Sequence, residues 1–137
     1  MISSTNGWSV TDAGGEIYNY NGTSWGLHTD TGNEEWRDIS AISASDAWSV
    51  GVGGNAAHYN GTSWTESTPS AQDLLGIDGL SSSDIWAVGN NGTLLHYNGT
   101  SWSSSSSPTS EHMQDVVMVS SSDVWAVGDS GIIIHYN

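Results

Sequence analysis

A hexapeptide, Tyr-Asn-Gly-Thr-Ser-Trp, occurs three times in this chain, at 20–25, 59–64 and 97–102, and its first two residues return as Tyr136-Asn137. A second tryptophan series, Trp8, Trp48, Trp86 and Trp125, has spacings of 40, 38 and 39, and the hairpin tryptophans Trp25, Trp64 and Trp102 are 39 and 38 apart. A fixed period confines a chain to folds built from like units, so the period points to the architecture. A unit of about forty residues made of short strands matches one blade of a β-propeller, four antiparallel strands wide. A sandwich needs no repeat, and a β-helix repeats faster. Asn-Gly between two β-prone runs predicts a two-residue hairpin with both turn residues at positive φ.

The chain therefore reads as one all-β domain over 1–137, with repeats at about 1–35, 36–71, 72–112 and 113–137. The first strand of a unit is read at 39–43, 74–81 and 116–120. A Ser-Asp turn follows, and the second strand opens near the lead tryptophan. A Gly-rich turn leads to a third strand ending in tyrosine, and the Asn-Gly hairpin to a short, polar fourth. Near-continuous apolar runs, Val116 to Val119 and Ile132 to Ile134, imply burial on both faces, as stacked blades require. The first copy lacks its inner strand and the last its outer one, which gives fourteen strands, or three and a half blades. No segment carries a helical period.

Arg37 is the single basic residue against fifteen acidic ones, a net charge of −14. That charge argues against nucleic acid and anionic membrane surfaces as partners, since both are bound through Lys and Arg. No apolar run approaches the ~20 residues of a membrane helix, so membrane insertion is not expected. Met1-Ile2-Ser3-Ser4 has neither the basic start nor the apolar stretch of a signal peptide. There is no cysteine, hence no disulfide and no thiolate metal site.

His58, His96 and His135 recur before tyrosine, with Asn19 in the first copy, and Asp46, Asp84 and Asp123 recur before the lead tryptophans. One per repeat is the mark of a structural role. These histidines are expected to bond the turn Asp or Ser rather than gather around a metal. Trp36 stands outside both tryptophan series, among Glu34, Glu35 and Asp38, and is the candidate exposed aromatic of a binding site. Residues that differ between matching repeats are not fixed by the repeat's own packing. Asp73, Glu111, His112 and Asp115 therefore join Trp36, Glu34, Glu35 and Asp38 as a candidate ligand-binding loop face. Its acidity suits calcium or hydroxyl-rich sugars, though no cofactor is required. The terminal strand, Ile132, Ile133, Ile134, His135 and Tyr136, is flat and apolar and is read as an assembly edge. A homo-oligomer is expected: two copies hold strands enough for seven blades, although their ends do not interlock strand to strand.

Asp-Val-Trp-Ala-Val-Gly at 123–128, followed by Gly-Ile-Ile-Ile-His-Tyr-Asn at 131–137, resembles repeats of secreted bacterial β-propellers. These are related in pattern to photosystem II assembly-factor propellers and to Asp-box repeats. The resemblance implies the propeller fold and a secreted or cell-surface location. An Asp-box reads Ser-x-Asp-x-Gly-x-Thr-Trp, and residues 57–64 keep the Gly and Trp but place Tyr59 where the Asp belongs. Asp-box sialidases hold the substrate carboxylate with an arginine cluster, and Arg37 alone rules that activity out. The expected function is non-catalytic: a structural, adhesion or assembly module associating through incomplete terminal blades. The alternative is a carbohydrate-binding lectin using the acidic loop face, with or without calcium.

Overall fold

Four antiparallel sheets follow one another along the chain in the computed structural model, which describes residues 3, 5–32 and 34–137. The first holds β1 (Gly7–Val10), β2 (Glu16–Tyr20) and β3 (Trp25–Asp30). The second holds β4 (Trp36–Ser43), β5 (Asp46–Gly51), β6 (Ala56–Tyr59) and β7 (Trp64–Ser67). The third holds β8 (Leu74–Ser81), β9 (Asp84–Gly89), β10 (Leu94–Tyr97) and β11 (Trp102–Ser104), and the fourth β12 (Met113–Ser120), β13 (Asp123–Gly128) and β14 (Ile133–Tyr136). Every sheet is a meander in chain order. The three-four-four-three count agrees with the sequence reading.

The sheets pack face to face as blades. β4 lies against β1 and β8, and β8 against β4 and β12, so the inner strands stand side by side. Each blade-to-blade seam has its own apolar core. Trp8 and Ile17 meet Trp36, Ala47 and Ala57 at the first seam. Trp48, Val50 and Ala56 meet Leu74, Ile77, Ile85 and Leu95 at the second, and Trp86, Val88 and Leu94 meet Met113, Val116, Val124 and Ala126 at the third.

The hairpins differ from the two-residue turn expected. Tyr20 pairs with Trp25, Tyr59 with Trp64 and Tyr97 with Trp102, leaving four residues in each loop. Only the glycines, Gly22, Gly61 and Gly99, take positive φ there, near 90°. The Asn side chain does the rest: Asn60 Oδ1 accepts the amides of Thr62 and Ser63, both at 3.0 Å, and Asn21 and Asn98 repeat the pattern. Asn favours such a turn because its short side chain mimics a backbone acceptor. One-turn 3-10 segments at Val52–Gly54, Asn90–Gly92 and Asp129–Gly131 link the second and third strands.

Two glycine positions are dictated by close approach. A Cβ on Gly51, Gly89 or Gly128, the last residue of the second strand, would overlap the carbonyl oxygen of Glu35, Asp73 or His112 just before the inner strand. Gly76 of β8 likewise lies against the Asp115 backbone of β12.

Candidate interaction surface

Trp36 is 1% exposed. Its indole N–H donates to Thr31 Oγ1 at 3.0 Å, and its ring lies in the first seam. It opens β4 as Leu74 opens β8 and Met113 opens β12, so it does have repeat counterparts, both buried. The exposed-aromatic reading of Trp36 is therefore corrected. The signal was present in the spacing 36, 74, 113, masked by the change of residue type.

The acidic loop residues are engaged in hydrogen bonds and one ion pair within the chain, most of them at the surface. Asp73 Oδ1 accepts the Gly53 amide at 2.8 Å, and its Oδ2 accepts Asn90 Nδ2 at 3.0 Å. Glu34 pairs with Asn55, Glu35 with Arg37 at 3.3 Å, and Glu111 Oε2 accepts the Ser130 hydroxyl at 3.1 Å. His112 Nδ1 accepts the Asn91 amide at 3.2 Å. Apart from Glu35–Arg37, these contacts join the blade-to-blade connections to the turns between second and third strands, so the two share one face. Among the described residues, no three His, Asp or Glu side chains converge as a metal site would.

Asp38 and Asp115 belong instead to the inner strands β4 and β12. Asp38 Oδ1 accepts the Ile39 amide and its Oδ2 the Ile77 amide one blade away, at 2.8 and 2.9 Å. Burial pushes its carboxyl above the usual range. The Ile77 and Ile39 amides pull it back, and the charges of Asp115 and Asp78 add to the rise. Asp78 repeats the device, accepting Gly79 and, from the next blade, Met118 at 2.8 Å. Asp115 Oδ1 accepts only its own neighbour, Val116.

The histidine expectation holds. His58, His96 and His135 bond Asp46, Asp84 and Asp123 through Nε2 at 3.0, 2.8 and 2.9 Å. Each imidazole lies flat on the lead tryptophan of its blade, Trp48, Trp86 or Trp125, with centroids 4.1, 4.8 and 4.1 Å apart. The Asp–His bond fixes the ring, and the ring fixes the tryptophan. The next blade then closes on it: Trp48 meets Tyr97 at 4.7 Å and Trp102 at 5.6 Å. Trp8 meets Tyr59 and Trp64 in the same way, at 5.1 and 5.5 Å.

The last blade has no following blade among the described residues, and its outward face is bare. Trp125 is 39% exposed, whereas its counterparts Trp48 and Trp86 are 4% and 2% exposed. Val127 and Ile133 are exposed where Val88 and Leu94 are buried. Val117 and Val119 extend the patch along β12. Of the strand read as an assembly edge, β14 pairs with β13 alone among the described residues, so its outer edge is open, while the Ile132 and Ile134 side chains pack inward on the third seam. Tyr136 leans on Trp86 at 4.8 Å, and His135 is bound to Asp123. Ile133 is the edge side chain turned outward. At the other end of the chain, Tyr20 and Trp25 form a corner with centroids 5.4 Å apart, and Trp25 is 49% exposed.

No family model matches this chain, and no curated protein matches it. Solved structures do. A structure of YCF48 bound to D1 peptide superposes with a TM-score of 0.78 at 19% identity, covering 94% of this chain and 46% of that one. YCF48 from Cyanidioschyzon merolae gives 0.77 at 14% identity, covering 96% and 47%. The WD40 propeller domain of Doa1 gives 0.77 at 14%, covering the whole chain and 49% of that one. The chain spans about half the length of these structures, and at such identities the likeness is one of fold: the protein is an all-β, partial β-propeller.

Proposed function

We propose that this chain is a non-catalytic protein-interaction module that assembles through the blade faces left uncovered at its two ends. The observation that carries the reading is the contrast between Trp125, half-exposed, and Trp48 and Trp86, sealed at the same repeat position. A contiguous exposed apolar face of this kind marks an interaction site. That YCF48 has been seen with a peptide bound adds support from the same fold. Covering one half-exposed side chain contributes about 1 kcal/mol. Five of them together scarcely exceed the lower end of the roughly 4–15 kcal/mol that association costs. The partner must therefore bring apolar or aromatic surface of its own.

A second reading, saccharide binding, draws on a cleft of about 330 Å³ between the second and third blades, lined by Trp48, Tyr97, Trp102 and Thr100 among others. It places sugar at the outer rim rather than on the acidic loop face. One experiment separates the two. The isotopically labelled chain is titrated with unlabelled chain, with extended apolar peptides and with saccharides, and its amide shifts are followed. Peptide or protein shifts on β12–β14, or on β1–β3, are expected. Shifts confined to Trp102 and its cleft on adding sugar would favour the second reading, and shifts confined to the loops around Asp73 and Glu111 would exclude both.

A further inference from the structure

Resting on the reading that the bare blade faces are interaction surfaces, we propose that their partner is a second copy of this chain, docked head to tail, with the Tyr20–Trp25 corner of one copy closing on Trp125 of the other. The aromatic rim of the contact is already built on both sides. Trp125 lies on His135 at 4.1 Å and 12°, as Trp48 lies on His58 at 4.1 Å and 14°. Tyr20 and Trp25 stand 5.4 Å apart, the separation found in the Tyr59–Trp64 and Tyr97–Trp102 pairs. Each of those two pairs receives a lead tryptophan from the preceding blade; the Tyr20–Trp25 pair receives none. The seam formed inside the chain thus continues onto the only two half-seams it exposes among the described residues.

The first blade is also fitted for a face rather than for an added inner strand. Thr11 follows Val10 of β1 at the place held by Gly51, Gly89 and Gly128 after or at the end of the equivalent strands. At those glycines a side chain would overlap the connection that leads into the inner strand. Thr11 carries such a side chain, so an inner strand laid on β1 in the usual way would collide with it.

The two surfaces differ, so the contact is heterologous and must close into a ring or propagate. Two copies supply eight sheets, within the range of about four to eight blades that propeller rings use. Each copy carries a charge of −14, and Arg37 is paired with Glu35, so the copies repel and apolar contact holds them. Added salt should screen the repulsion and tighten the assembly.

The test is sedimentation equilibrium on the chain and on two variants, Trp25→Ala and Trp125→Ala, at about 100 μM and two salt concentrations. The unaltered chain is expected to self-associate, more tightly at high salt. Each variant alone should lose at least tenfold in association constant. An equimolar mixture should recover a dimer, because Trp125 of the first variant meets Trp25 of the second. Ile133→Glu, on the surface of the same face, replaces Trp125→Ala if that variant fails to fold. Self-association without recovery in the mixture would overturn the head-to-tail geometry. A monomer that still shows peptide shifts on β12–β14 would overturn the second copy as partner while leaving the interaction reading standing.

Discussion

Asp38 Oδ2 accepts the backbone amide of Ile77 at 2.9 Å, tying the inner strand of one blade to the inner strand of the next. Asp38→Ala leaves that buried amide without an acceptor, which costs about 1–3 kcal/mol. Asp115→Ala removes only a bond to the adjacent residue at an exposed position of β12 and should stay within about 0.5 kcal/mol. Urea melts of the two variants provide the comparison. Equal losses would show that the contact between blades adds nothing.

The lead tryptophans give a second contrast. Trp48→Ala empties a sealed seam and should cost about 3–5 kcal/mol. Trp125→Ala, at the same repeat position but half-exposed, should cost well under half as much. Thermal or denaturant unfolding of the dilute chain, where self-association is absent, measures both.

Ser130 holds φ at 57° and Asn91 at 55°, where the equivalent residue of the second blade is Gly53 at 73°. A left-handed conformation strains a side chain with a Cβ. Ser130→Gly relieves that strain, less the entropy that glycine loses on folding, and should stabilise by up to about 1 kcal/mol. A lowered melting temperature would show that the Ser130–Glu111 bond outweighs the backbone term.

Stability should fall on acidification through the range of His28. Its pKa lies below the ordinary 6.5 because the rings of Trp8 and Tyr59 keep some water from a side chain that is otherwise exposed, which disfavours the charged form and makes the effect small. Nδ1 also accepts the Trp64 indole N–H at 3.2 Å, a bond that protonation would break. The unfolded chain therefore binds the proton first. The contribution is complete above about pH 6.5 and is lost as pH drops through the lowered value. Melting temperatures of the chain and of His28→Gln, compared at pH 7.5 and pH 5, isolate the effect. A constant difference between them would refute it.

The strand count per chain and a hydrogen bond from each repeated histidine to its turn could be read from the repeat, because each is fixed by contacts that recur with it. Trp36 was misread because its counterparts are Leu74 and Met113, and identity of side chain is a poorer guide than position in the strand. The Asp38 and Asp78 bonds left no pattern, since their acceptor role is met by backbone amides that any residue supplies. Ile132 and Ile134 could not be separated from Ile133 in an unbroken apolar run; only the fold shows which way each one turns. The bare face was legible as an incomplete unit, but its match to Tyr20 and Trp25 required ring geometry.

The Asn-Gly hairpins also put this molecule on a chemical clock. Glycine has no side chain to shield its nitrogen, so that nitrogen readily attacks the preceding asparagine amide and ammonia departs. Where the cyclic imide reopens to aspartate at position 21, 60 or 98, an oxygen remains to receive the two loop amides and the corner survives with one more negative charge. Where it reopens to isoaspartate, the main chain gains a carbon and the tryptophan that follows the loop is carried out of register. An aged sample should thus lose its corners before it loses its sheets.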